Sequence, residues 1–126
     1  MTSGELKAEN YTDLLVWQKG MDLVKETYTI THTFPADEKF GLVAQMRRAA
    51  VSIPSNIAEG QARHTTGEFV QFVSHAEGSV AELRTQFLIA IELGYCTKSS
   101  ARHAFELLSA LRKMLNALRR TLAARR

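Results

Sequence analysis

The residues that could carry catalysis are few and scattered. Four histidines (His32, His64, His75, His103) and one cysteine, Cys96, are the candidates for metal ligation or nucleophilic attack. No histidine stands four residues from another, so no HExxH helix face exists. The Glu-x-x-His pairs that a di-iron bundle needs are also missing. His75 with Glu77 and Glu82 is the nearest approach to a ligand set, and its spacings do not converge on one ion. Cys96 lies in the turn Gly94-Tyr-Cys-Thr97 and would need a positioned base to act as a nucleophile. His103 is the nearest in sequence, and the simpler reading is a semi-buried thiol. There is no Walker loop or GxGxxG. The chain is therefore expected to be non-enzymatic, with no catalytic residue, metal or cofactor.

Two segments carry polar residues inside apolar patterns. In Ser52-Ile-Pro-Ser-Asn-Ile-Ala-Glu-Gly60, Asn56 and Glu59 flank the core-line residue Ile57. In Ala76-Glu-Gly-Ser-Val-Ala-Glu-Leu83, Ser79 and Glu82 interrupt a helical seam. One reading makes these four a small-molecule site. The other, preferred here, makes them an interhelix hydrogen-bond network, because buried polar groups must be paired and such networks select one packing. Gly78 costs about 1 kcal/mol relative to alanine inside a helix, and its expected return is close approach of another helix.

The charge is unevenly placed. The 126 residues sum to +3, yet residues 1–97 carry a net −4 and residues 98–126 a net +7. Arg112, Arg119 and Arg126 recur every seven residues, and Lys113 and Arg120 follow one step behind. On a helix these five form one stripe beside a leucine seam. Charge at a helix C-terminus complements the macrodipole, which covers Arg119, Arg120 and the terminal arginines better than Arg112 and Lys113. Some of the stripe can also pair with acids on neighbouring helices, such as Asp22, Glu26 or Glu77. Two functional readings stay open: contact with RNA or DNA phosphates, which needs charge without exact geometry, and self-assembly or protein contact. Phe105 is the only aromatic on this segment, so base stacking gains no support from it.

The elements that must hold these residues are all helical. Proline and glycine are scarce and strand-like alternation is nearly absent. The first helix is expected over about residues 13–33, capped by Asp13, with Leu14, Trp17, Met21, Val24 and Tyr28 as its apolar line. The second opens near Asp37, carries Leu42, Met46, Ala49, Ile53 and Ile57, and is expected to kink at Pro54. The third starts at a Thr65/Glu68 capping box. It repeats Phe69, Val73, Ala76, Val80, Leu83, Phe87 and Ala90, and ends at Gly94. The fourth starts near Ser99 or Ser100, with Ala104, Leu108, Leu111, Leu115, Leu118 and Leu122 as its seam. Phe105, Leu107 and Met114 widen that apolar face, and the surplus points to contact with another subunit.

Short links favour antiparallel neighbours, so the fold class is all-α, an up-down-up-down four-helix bundle in one domain over residues 1–126. Residues 1–10 are expected to be flexible. They lack the apolar stretch of a signal peptide, and no run is long enough to span a membrane, so the chain is expected in the cytoplasm.

Several stretches then become recognisable. Leu14-Leu-Val-Trp-Gln-Lys, Gly41-Leu-Val-Ala-Gln-Met-Arg-Arg-Ala-Ala, Ser52-Ile-Pro-Ser-Asn-Ile-Ala-Glu-Gly60 and Ala76-Glu-Gly-Ser-Val-Ala-Glu-Leu83 resemble, in this order, the four-helix-bundle proteins encoded in 23S rRNA intervening sequences. The resemblance implies a homopentamer and similarity to the accessory variability determinant of diversity-generating retroelements, which engages a reverse transcriptase and nucleic acid. It brings no catalytic residues. It singles out Gln45, Arg47, Arg48, Ser52, Asn56, Glu59, Gly60, Gly78, Ser79 and Glu82, adding Gln45 and Ser52 to the polar network. The expected function is a homo-oligomer that presents a basic surface to nucleic acid, RNA above all. The alternative is a protein scaffold, for instance for a reverse transcriptase.

Overall fold

The computed structural model describes residues 10–125. Residues 1–9 and Arg126 lie outside the described residues, and with them most of the N-terminal segment expected to be flexible and the last member of the basic stripe. Four helices account for most of the chain: α1 (Leu15–Thr31), α2 (Leu42–Gln61), α3 (Thr66–Glu92) and α4 (Arg102–Ala123). No strand occurs among the described residues.

The starts and stops follow local hydrogen bonding. Before α1, Asn10 caps a 3₁₀ turn at Tyr11–Asp13 by accepting the Thr12 N–H. The helix proper begins two residues beyond the expected Asp13 cap. Likewise, Ala36–Glu38 is a separate 3₁₀ turn, so α2 opens at Leu42 and not near Asp37. Glu38 still serves that helix, because its Oε1 accepts the Leu42 N–H at 3.0 Å. Its Oε2 accepts the Tyr95 hydroxyl at 2.8 Å, tying the start of α2 to the loop after α3. The Leu42 N–H and then the Tyr95 hydroxyl hold the Glu38 carboxyl below its ordinary range.

Thr65 caps α3 as its spacing predicts, accepting the Glu68 N–H at 3.1 Å. Gly94 closes it with φ +78. The Tyr95 N–H reaches the Ala90 carbonyl and the Gly94 N–H reaches that of Ile91, the paired bonds of a Schellman cap. α4 begins later than expected because Thr97 and Ser100 cap each other reciprocally in the preceding turn.

The helices pack in a ring: α1 on α2, α2 on α3, α3 on α4, and α4 back on α1. Paired contacts run in opposite order along neighbours. On α2 and α3, Gly60 faces Phe69 and Phe72, while Ser52 meets Ser79. On α3 and α4, Glu77 meets Arg119, while Phe87 packs on Phe105. On α1 and α2, Gly20 faces Pro54, while Thr31 meets Arg47. The core is built from Leu23, Met46, Ile53, Ile57, Leu83, Phe87, Leu108, Leu111 and Leu115, all fully buried. Burying each such side chain contributes about 1.5–3 kcal/mol.

The expected apolar line of α1 is not its core line. Val16, Gly20, Leu23, Thr27 and Thr31 are the buried residues. Gly20 permits contact with Pro54, which sits inside α2 with its ring buried. Thr27 and Thr31 hide their hydroxyls by donating to the carbonyls of Leu23 and Thr27, each at 2.7 Å. Hydropathy cannot flag such a line. Trp17 and Val24 pack only partly against the core, and Tyr28 is exposed. The close approach expected at Gly78 is also absent among the described residues, since none of them lies within 4 Å of where its Cβ would stand.

Gln86 of α3 is buried, and its Oε1 has no hydrogen-bond partner among the described residues. Its Nε2 donates to Glu82 at 3.3 Å. Gln86→Met keeps the volume and removes the unsatisfied carbonyl. It is expected to stabilise the chain by about 1 kcal/mol, read as a melting temperature higher by about 4 °C.

Candidate nucleic-acid interface

α4 carries Arg112, Lys113, Arg119 and Arg120 of the basic stripe. Arg112, Lys113 and Arg120 are exposed, and no described acid forms an ion pair with them. Arg119 is different. Its Nε donates to Glu77 Oε1 at 2.7 Å and its Nη2 to Asn116 Oδ1 at 2.7 Å. Of the three neighbouring acids weighed from the sequence, Glu77 is the one that pairs. Arg119 therefore joins α4 to α3 and offers less free charge than its phase implied.

Tertiary packing adds a cation that the sequence did not single out. Arg84 of α3 stands with Arg112 on the rim of a groove of about 450 Å³ between α3 and α4. Val80, Ala81, Phe105 and Leu108 line the groove, with Ser109 and Glu77 beside them. The Arg84 guanidinium lies 5.9 Å from the Phe105 ring centroid. In sequence Arg84 only follows Leu83 of the α3 seam, and nothing there connects it with a stripe on α4.

The polar residues divide. The Ser52 and Ser79 hydroxyls are hydrogen-bonded at 2.6 Å across α2 and α3, and Ser52 Oγ also lies 2.7 Å from the Ala49 carbonyl. Asn56 donates to the Ser52 carbonyl within α2 at 2.7 Å. Gln45, Glu59 and Glu82 are exposed. Ser52, Ser79 and Glu82 share a shallow surface depression, but Gln45, Asn56 and Glu59 do not line it.

The surplus apolar surface lies elsewhere than expected. On α4, Leu107 is buried and Phe105 and Met114 pack partly against the core. The exposed large apolar residues of α1, α2 and the segment between them are Leu15, Tyr28, Phe40 and Val51, with Phe40 88% exposed. Trp17, Met21 and Val24 of α1 line a groove with Val51, Pro54 and Ala58 of α2. Arg47 covers Tyr28, its guanidinium 4.3 Å from the ring centroid, and donates to the Thr31 hydroxyl. In the ring of helices, α1 and α2 stand opposite α3 and α4, and Tyr28, Phe40 and Val51 share their depression with Lys39, Arg47 and Arg48.

Little here resembles an active site. Burial pushes the Cys96 thiol pKa up, which disfavours the reactive thiolate. Among the described residues, no three His, Cys, Asp or Glu side chains gather as a metal site requires. No described helix is long and apolar enough to cross a membrane.

A search among curated proteins gave no match. The sequence profile of the family described as 23S rRNA-intervening sequence protein matches residues 12–117, which takes in α1 to α3 and most of α4. With that coverage and four helices in the matched region, the chain belongs to the 23S rRNA-intervening sequence protein family.

Proposed function

We propose that this protein is a non-enzymatic, cytoplasmic homo-oligomer that binds nucleic acid, RNA in particular, through its α3/α4 face. The observation that carries the reading is the set of cations Arg84, Arg112, Lys113 and Arg120 on α3 and α4, with no described acid in an ion pair with them. Like charges held together repel, and a polyanion relieves that cost by releasing its own counterions. Assembly is supported by the apolar α1/α2 face, where Phe40, Tyr28 and Val51 are exposed. A pentamer is the stoichiometry we favour, from the family resemblance. It would repeat weak phosphate contacts and multiply them through avidity.

The test is equilibrium binding of a labelled RNA across a salt series, with light scattering on the same sample. Log affinity is expected to fall linearly with log salt. Salt-independent binding, or none at low salt, would sink the nucleic-acid reading. A solution mass near 14 kDa, that of one chain, would refute assembly.

A protein-adaptor reading, for example toward a reverse transcriptase, draws on a separate observation. Leu88, Ile89 and Leu93 are exposed together near the end of α3. It predicts a partner retained after the cations are removed.

A further inference from the structure

We infer that the α3/α4 groove seats a single unpaired nucleotide, so that the basic face selects single-stranded over duplex nucleic acid. The inference rests on the nucleic-acid reading and specifies the ligand of the same face. The groove combines three features that a phosphate-only surface does not need. Its lining is apolar and partly aromatic, from Val80, Ala81, Leu108 and Phe105. Its rim carries two guanidinium groups, Arg84 from α3 and Arg112 from α4. Its one acid, Glu77, is already neutralised by Arg119 at 2.7 Å. Charge complementarity therefore favours an anion, and the lining favours a flat apolar body attached to it.

A nucleotide has both parts. The base lies against the half-buried Phe105 ring, and the guanidinium plane of Arg84 offers a second stacking surface. Arg112 meets the phosphate, and the Ser109 hydroxyl can give or accept one hydrogen bond. The groove's volume of about 450 Å³ lies within the usual range for small-ligand sites, about 300–1,000 Å³. Bases inside a duplex are stacked and paired, so they cannot enter without being unstacked, at a cost of a few kcal/mol. Phe105, the one aromatic of α4, lies beside the Arg84 guanidinium.

The experiment measures anisotropy of fluorescein-labelled oligouridylate, oligothymidylate and an RNA duplex, each about 20 nucleotides long, on the full chain. Ala81→Leu fills the groove from an exposed helical position and leaves every cation in place. Phe105→Leu removes the ring but keeps an apolar contact for Phe87. Each is expected to weaken single-strand binding about tenfold, with duplex affinity and the salt slope unchanged. Loss on oligouridylate alone supports the groove with a contribution from the 2′-hydroxyl, and loss on both single strands supports it without one. Equal wild-type affinity for single strand and duplex overturns the inference. So does retention of single-strand affinity in Ala81→Leu while the wild type still binds. Absence of all nucleic-acid binding at low salt defeats the underlying reading along with it.

Discussion

Replacing Arg112, Lys113 and Arg120 together with alanine is expected to weaken RNA binding about 100-fold at about 0.15 M salt. Each phosphate contact contributes about 0.7–0.9 to the slope of log affinity against log salt, so the slope should fall by about 2. All three side chains are exposed on α4, so the fold should survive, and circular dichroism checks that it does. A loss of less than about fivefold, the share of a single contact, would place the nucleic acid elsewhere.

Arg119→Ala is the informative companion. Its guanidinium is committed to Glu77 and Asn116, and Glu77 is only 23% exposed. The variant should cost about 1 kcal/mol of stability and move binding less than removal of any of the three free cations. An Arg119 that mattered as much as Arg112 would mean that the Glu77 pair opens when RNA binds.

Gly60→Ala is expected to destabilise the protein by about 1–2 kcal/mol. A methyl group there would stand 2.8 Å from Phe72 Cβ and 2.9 Å from Phe69 Cδ1. Such overpacking costs about 1–3 kcal/mol, here about 2–3 because two contacts fall below 3.0 Å and one of them is the stiff Cβ of Phe72. Alanine recovers about 1 kcal/mol of helix propensity, which offsets only part of it. The melting temperature should drop by about 4–8 °C. Gly78→Ala has the opposite expected sign. With open space around it, the propensity gain of up to about 1 kcal/mol is unopposed in the isolated chain. Should another subunit approach α3 at Gly78, the same change would weaken assembly in light scattering while still raising the stability of the separated chain. An unchanged melting temperature in Gly60→Ala would show that α2 and α3 separate without strain.

The two glycines show where sequence reading succeeds and where it stops. In sequence Gly60 stands near the end of the second helix and Gly78 sits in mid-helix among small residues, and only Gly78 draws the expectation of a close neighbour. The structure reverses this: Gly60 is the tight contact and Gly78 is open. A missing side chain reveals that space is available but not whether a neighbour fills it. The core phase of α1 was misplaced for a related reason. Periodic hydropathy marked Trp17, Met21, Val24 and Tyr28, yet the buried line runs through Gly20, Thr27 and Thr31. These residues bury easily because two hydroxyls are satisfied within their own helix.

The sequence by itself determined the four helices, the Thr65 and Gly94 caps and the seams of α3 and α4. It also located the charge excess in the last quarter of the chain. These depend on residues near one another along the chain, through 3.6-residue periodicity, capping hydrogen bonds and composition. Only the tertiary structure decided which charges are free. It committed Arg119 to Glu77, 42 residues away, brought Arg84 to the groove of Arg112 and Phe105, and set the exposed apolar residues on α1, α2 and the end of α3 instead of α4. A helix's own sequence specifies what each face carries. Which face meets a neighbour, and which cation finds an acid, depends on the packing of the other three helices.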